Sequence, residues 1–355
     1  MNPNASPSMR IAGRAIGRDY PPYIIAEMSA NHNGSLDNAL RLIEAASAAG
    51  ADAVKLQTYR ADTITLDSDR PEFQITSGLW AGMSLYQLYE SAHTPWEWHK
   101  PLFDKAREES ITIFSSPFDT TAVDLLEDLN APAYKIASFE AVDLPLIRYV
   151  ARTGKPMIIS TGMASAEEIA EAIDAARSGG CKELAILRCV SGYPAPASDY
   201  NLRTMSDMIA RFGLVTGLSD HTLDNVTATC SVALGAALIE KHFTLDRNGG
   251  GPDDSFSLEP ADLAALVRSA RTAWDSLGNV GYARKSSETG NQLFRRSLYA
   301  VKPIAAGEPF TNDNVRSIRP GFGLAPKHLD NLLGRPSPVS FQRGEPITGR
   351  ALDPS

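Results

Sequence analysis

Eight apolar runs of strand length, separated by longer stretches of helical periodicity, constrain this chain more than any other feature. They are Tyr23–Ser29 (YIIAEMS), Ala53–Tyr59 (AVKLQTY), Ile111–Phe118 (ITIFSSPF), Ala133–Ser138 (AYKIAS), Pro156–Gly162 (PMIISTG), Leu184–Pro194 (LAILRCVSGYP), Leu214–Thr222 (LVTGLSDHT) and Leu238–Thr244 (LIEKHFT). Continuous apolar strands alternating with helices imply parallel strands covered on both faces. Eight such units within about 250 residues have the size of a closed (β/α)8 TIM barrel, an α/β fold. An open doubly wound sheet would need a G-x-G-x-x-G turn after its first strand, and the turn here is Asn31–Gly34 (NHNG).

The helices between the runs carry their own punctuation. Ser35 can cap a helix with Leu36, Leu40 and Ile43 on one face, ending at Gly50. Ser165 and Glu168 form a capping box ahead of Ile169 and Ile173, and Gly179-Gly180 stops that helix. An insertion at Ala61–Thr94, holding Trp80, Tyr86 and Tyr89, reads as a lid or specificity loop. Trp96 and Trp98, just after it, read as local core, whereas Trp80 beside Gly82 reads as a ligand contact. Residues 1–22 read as a loose arm with one short strand, and residues 23–283 as the barrel. Polar residues 284–293 read as a linker, and residues 294–355, with short β-type runs broken by Pro, Gly and Asn, as a small β-rich domain.

Composition excludes several function classes. Of 355 residues, 43% are hydrophobic and 21% charged, enough to bury a core. The formal charge of -8, with no basic tract, argues against nucleic acid as the main partner. No apolar run reaches the ~18 residues of a membrane span, and MNPNASPSMR has no apolar signal-peptide core. Cys181, Cys189 and Cys230 form neither a disulfide framework nor a zinc pattern, which fits a reduced cytoplasm.

Active sites of such barrels lie at the C-terminal ends of the strands, and those ends are unusually polar here. Glu27 ends the first; Lys55 and Gln57 share a face of the second; Ser115 and Ser116 close the third; Lys135 and Ser138 lie on the fourth. Ser160 and Thr161 follow on the fifth, Ser191 and Tyr193 on the sixth, Ser219 and His221 on the seventh, Glu240 and His242 on the eighth. Two lysines with several hydroxyls and Arg319 available form a cradle for phosphate and carboxylate; a Schiff-base lysine is the rival use. His221 and His242, on adjacent strands, can hold one readily exchanged divalent cation such as Mn²⁺. Glu27 can accept a proton or a sugar hydroxyl, and Asp253 in the loop GGGPDD can bind hydroxyls. His32, His93, His99 and His328 read as surface or loop residues.

Together these strings identify a resemblance. IAEMSANHNG, VKLQTY, SSPFD, YKIAS, STGM, GLSDHT, EKHFT and GGPDDSFSLEP resemble the sialic acid synthase family from Tyr23 onward, and the C-terminal segment is similar to its antifreeze-like (SAF) domain. Within the family, WAGMSLYQLY, TPWEWH and GGPDDSFSLEP resemble the pseudaminic acid synthase branch, with neuraminate and legionaminate synthases as the alternatives. The resemblance implies condensation of phosphoenolpyruvate with 2,4-diacetamido-2,4,6-trideoxy-L-altrose, giving pseudaminic acid and phosphate. It implies that His221 and His242 hold a divalent metal, Mn²⁺ with Mg²⁺ or Co²⁺ as alternatives. Lys55, Ser116, Lys135, Ser138, Ser160, Ser191 and Ser219 would grip phosphoenolpyruvate. Glu27, Gln57, Trp80, Tyr193 and Asp253 would face the sugar. Arg319 would arrive from the partner in a domain-swapped homodimer.

Overall fold

The structure is a computed structural model that describes residues 6–352. It divides into two compact units, Met1–Gly278 and Asn279–Ser355.

In the first unit the strands β3 (Tyr23–Glu27), β4 (Ala53–Thr58), β5 (Thr112–Pro117), β6 (Tyr134–Ile136), β7 (Met157–Ser160), β8 (Leu184–Cys189), β9 (Val215–Ser219) and β10 (Leu238–His242) follow the hairpin strands β1 (Ser8–Ile11) and β2 (Arg14–Gly17). Strands β3–β10 close into one barrel, β10 pairing with β3, and their pairings are parallel. All are buried on both faces apart from an occasional half-exposed position. Alternation sorts the side chains. Ile24 and Ala26 pack outward against the helices in the main core, while Tyr23 and Ile25 point into the barrel with Phe114, Ile158, Leu187 and Leu238. The expected caps are in place: Ser35 accepts from the Asn38 amide, and Ser165 and Glu168 exchange bonds reciprocally.

The amino-terminal segment differs from the loose arm expected. Residues 1–5 lie outside the described part; the remainder forms an antiparallel hairpin with Ile11 paired to Arg14. Its two-residue turn, Ala12-Gly13, has positive φ at both positions (48° and 82°), the twist that suits a tight hairpin. Met9, Ile11 and Ile16 alternate inward and join the barrel-interior cluster, so the hairpin closes the barrel at the strands' N-terminal end. Each buried side chain contributes roughly 1.5–3 kcal/mol. Arg14 pairs with Asp52, which also accepts the Ile24 amide. With only three inward side chains, the pattern is too short to stand out in the sequence.

Several runs end earlier as strands than their apolar length suggested. Ser138 starts a 3-10 helix, Ser138–Val142, and Ser191, Tyr193 and His221 lie in loops just past β8 and β9. Two histidines read as surface or loop are instead buried. His32 packs edge-on against Trp98, with ring centroids 5.5 Å apart. His99 shares a 2.8 Å hydrogen bond with Thr58 Oγ1. Burial pushes both imidazoles down to about 4.

The second unit has its own core of Leu298, Ala300, Ile304, Phe310, Val315, Leu332, Phe341 and Ile347, around an antiparallel pair, β11 (Ser297–Ala300) and β12 (Val315–Ile318). The stretch read as a linker is mostly a 3-10 helix, Ser286–Phe294. Gln292 is tied to Gly321 by its side-chain amide (3.0 Å) and by its carbonyl (3.1 Å), so this stretch is built into the second unit. It lacks apolar periodicity, and hydrogen bonds rather than side-chain burial hold it. Arg319 is exposed, one residue past β12.

Candidate active site

Strand register sets the site. Glu27 is paired laterally with Lys55 on one side and His242 on the other, Gln57 faces Ser116, and Glu240 lies beside Ser219. These side chains converge on one cavity at the C-terminal mouth. It is lined by Glu27, Lys55, Gln57, Lys135, Ser138 and Ser219, and by Cys189, Tyr193, His221, Glu240 and His242. A separate cleft of about 510 Å³ at the strands' N-terminal end, between Arg14, Tyr20, Arg271 and Trp274, holds none of the expected residues.

The two lysines are buried and meet over a shared carboxylate. Lys135 Nζ is 3.2 Å from Glu240 Oε1, and Lys55 Nζ is 3.8 Å from Glu240 Oε2 and 2.5 Å from Glu27 Oε2. Lys55 also donates to Ser116 (3.2 Å), and Ser219 donates to Glu240 (3.1 Å). Burial acts against the charge on Glu240, yet Lys135 and Lys55 hold its carboxyl down at about 2. Glu27 goes the other way: burial raises it, Lys55 opposes, and the charge on Glu240 adds to the rise. Two neighbouring carboxyls driven apart in this way suit an acid-base role for the raised one. Lys135 stays above the usual ammonium value, because Glu240 and Glu27 outweigh its desolvation.

Hydroxyls complete this cradle. A Cβ placed on Gly162 would run into the hydroxyls of Ser191 and Ser138, so only glycine lets them converge there, and the Gly162 amide donates to Ser138 (3.2 Å). The buried Ser160 and Ser191 hydroxyls have no protein partner. Buried hydroxyls left without a partner are what a bound oxyanion would satisfy.

A polar chain runs from the cradle to the histidines. Gln57 donates to Glu27 and to Ser29 (2.9 Å each), Ser29 donates to Asp253 (2.5 Å), and Asp253 Oδ2 is 3.9 Å from His242 Nδ1. The His221 and His242 rings are 5.3 Å apart. Because the Val190 carbonyl can only accept, His221 Nδ1 carries the proton in their 2.8 Å bond and Nε2 keeps its lone pair. His242 Nδ1 is buried without a partner. Burial lowers His221 to about 4, and burial, then the neighbouring His221 ring and the cationic Lys55 and Lys135, holds His242 well below its ordinary value, so both are neutral at pH 7. Among the described residues no three His, Cys, Asp or Glu form a metal cluster. The donor set is therefore two facing imidazoles, which fits a weakly held divalent ion with open positions.

Above the histidines stands an aromatic wall. Tyr193 lies 4.3 Å from the His221 ring and 6.0 Å from Trp80, and Phe256 lies 5.0 Å from His242 and 5.4 Å from Tyr193. Trp80, reaching from the insertion, donates to the Pro252 carbonyl (3.1 Å) beside Asp253.

Of the expected residues, Glu27, Lys55, Gln57, Lys135, Ser138, Tyr193, Ser219, His221 and His242 line this cavity; Ser116, Ser191, Asp253 and Trp80 lie outside its lining but approach Lys55, Ser138, His242 and Tyr193 respectively, Ser160 ends β7, and Arg319 lies in the second unit. Sequence reasoning gave no role to Glu240, Ser29 or Phe256. Alternation from His242 already turns Glu240 inward, but that both lysines bend to it is a tertiary fact. Phe256 ends a three-residue 3-10 helix, Asp254–Phe256, too short to show periodicity.

Known proteins place this geometry. The NeuB family model matches residues 42–282, and the SAF domain model residues 295–352. A pseudaminic acid synthase of Campylobacter jejuni serotype O:2 is 44% identical over 329 residues, 93% of this chain and 96% of its own. A pseudaminic acid synthase of Helicobacter pylori is 41% identical over 337 residues, covering 94% and 99%. The crystal structure of the spore coat polysaccharide biosynthesis protein SpsE of Bacillus subtilis superposes with a TM-score of 0.67 at 36% identity, covering 98% of this chain and 99% of that one. With most of its barrel matched, a SAF domain behind it and relatives above 40% identity along nearly its whole length, the chain belongs to the NeuB family.

Proposed function

We propose that this chain is a pseudaminic acid synthase, condensing phosphoenolpyruvate with 2,4-diacetamido-2,4,6-trideoxy-L-altrose to give pseudaminic acid and phosphate. One observation carries the reading: two buried lysines share one carboxylate in the cavity that two neutral, facing imidazoles also line. The names and the near full-length coverage of the Campylobacter and Helicobacter relatives support the product class. The apolar wall of Trp80, Tyr193 and Phe256 supports a deoxygenated sugar over a more hydroxylated one.

The residues have distinct tasks. Lys55 and Lys135 bind the anionic oxygens of phosphoenolpyruvate, taking over part of the compensation now supplied by Glu240 and Glu27. Ser116, Ser138, Ser160, Ser191 and Ser219 donate to those oxygens. Gln57, Tyr193, Trp80 and Asp253 orient the open-chain sugar. His221 and His242 would hold a divalent cation, Mn²⁺ with Mg²⁺ or Co²⁺ as alternatives, which when bound would supply Lewis-acid polarisation of the aldehyde. C3 of the enol then bonds to the aldehyde carbon as the carbonyl π bond opens, leaving an alkoxide oxygen and a cationic C2. Water oriented by Glu27 adds at C2 and gives up a proton that ends on the new hydroxyl; the C2–O bond to phosphate then breaks as C2 becomes a ketone, and the remaining proton leaves with phosphate. Glu27, poised by burial and by Glu240, is suited to take that proton. A reducing cytoplasm fits the three free cysteines.

The expected result is phosphate release only when the sugar, phosphoenolpyruvate and a divalent metal are all present. Undiminished release after exhaustive EDTA treatment contradicts the reading. We assign Arg319 to the sugar as well, delivered by a second copy of the chain in a domain-swapped homodimer; its exposure at the end of β12 supports this. Arg319→Ala should raise KM for the sugar about tenfold or more, the ~1.5–3 kcal/mol of a charged hydrogen bond, with phosphoenolpyruvate affinity held. Two unchanged constants remove the swapped arrangement.

A further inference from the structure

The residues just before the two histidines point away from the cavity and form a second, fully buried ionic cluster. Lys241 precedes His242 and Asp220 precedes His221, and they are only 2% and 1% exposed. Lys241 Nζ lies 2.9 Å from Asp220 Oδ2, 2.7 Å from the Thr222 carbonyl, 3.4 Å from Thr222 Oγ1 and 2.7 Å from the Asp224 carbonyl. Asp220 Oδ1 accepts the Thr222 amide (2.9 Å), and the Asp220 amide donates to the Glu240 carbonyl (2.9 Å). One ammonium group on the strand that carries His242 therefore grips the residues on both sides of His221. Burying such a pair is costly, and apolar side chains of similar volume would hold two strands together as well or better. What an apolar contact lacks is direction. Here every acceptor belongs to the five-residue span Asp220–Asp224, which contains His221.

We propose that Lys241 and Asp220 are positioning residues that set the separation of His221 and His242 for the divalent cation. This rests on the metal-dependent reading above. The clamp touches neither substrate nor cation, so it acts through the two imidazoles, and the phosphoenolpyruvate cradle of Lys55 and Lys135 does not depend on it.

The test is Mn²⁺ titration of the EDTA-stripped full-length chain, with free Mn²⁺ read by electron paramagnetic resonance. Phosphoenolpyruvate affinity without metal is measured beside it. Lys241→Met should weaken Mn²⁺ binding tenfold or more and leave phosphoenolpyruvate affinity within twofold. Asp220→Asn, which keeps the acceptor for the Thr222 amide but loses the charge, should weaken Mn²⁺ by a smaller factor in the same direction. A folded Lys241→Met protein with Mn²⁺ affinity within twofold of the parent overturns the proposal, as does loss of both affinities together. If Lys241→Met does not fold, Asp220→Asn decides by the same readouts. Failure of both variants to fold overturns it too, since the pair then holds the barrel together rather than tuning the site. A parent chain that binds no Mn²⁺ removes the metal-dependent reading itself, a result distinct from parental binding that the variants leave unchanged.

Discussion

Lys135→Met is expected to lower the affinity for phosphoenolpyruvate about a hundredfold to a thousandfold and to reduce turnover at least as much. Lys135 is buried against Glu240, 3.2 Å away, and that carboxylate keeps its charge only because Lys135 and Lys55 stand beside it. Removing one partner of a buried pair costs about 3–5 kcal/mol. Here the loss falls on the charge balance of an anion site, leaving Glu240 with Lys55 alone at 3.8 Å. The conservative variant separates this account from covalent catalysis. Lys135→Arg keeps the positive charge and should recover part of the phosphoenolpyruvate affinity, whereas a Schiff-base lysine admits no substitute. Equilibrium binding of phosphoenolpyruvate and borohydride treatment with pyruvate are the measurements. Full activity of Lys135→Met, or a trapped covalent adduct in the parent, contradicts the cradle.

His242→Ala carries the other large effect. Lewis-acid polarisation is worth several kcal/mol, so losing one of two imidazole ligands should reduce turnover by at least ~10³-fold, about 4 kcal/mol at 1.36 kcal/mol per decade. The fold should survive. His242 Nδ1 has no protein partner and the ring is neutral, so the change strands no buried charge; what it leaves is a gap beside Phe256 and Tyr193. A stability loss of about 1–3 kcal/mol is expected for a buried side chain truncated next to a cavity. Thermal melting with Mn²⁺ titration checks both halves. A variant that melts normally, binds Mn²⁺ as the parent does and turns over at the parental rate leaves no place for the metal between the histidines.

The order of strands and helices was legible because it rests on patterns a sequence carries openly. Continuous apolar runs, Ser35 as a cap and the Ser165–Glu168 box each predict one local event, and each event occurs. The mouth was legible for a related reason. Alternation turns Glu27, Lys55, Gln57, Glu240 and His242 inward once the strands are placed, and a barrel brings all strand ends together. Its electrostatics were not. The raising of Glu27 and the lowering of Glu240 depend on which carboxylate each lysine approaches, a tertiary matter that no spacing encodes. His32 and His99 were misjudged because a histidine in a turn or on a helix looks the same whether solvent or Trp98 lies beyond it. The amino-terminal hairpin hid for want of length, its burial being granted by the barrel it caps.

One measurement bears most directly on the central claim, that an enolpyruvyl ester and an acetamido sugar react at this one mouth. It is the mass spectrum of the product after incubation with phosphoenolpyruvate, Mn²⁺ and a panel of acetamido sugars offered separately. The account predicts a nine-carbon acid from 2,4-diacetamido-2,4,6-trideoxy-L-altrose, formed with an equivalent of phosphate. Efficient product formation from N-acetylmannosamine or the legionaminate precursor, with none from the altrose derivative, contradicts the pseudaminate assignment. No condensation with any sugar contradicts the account as a whole.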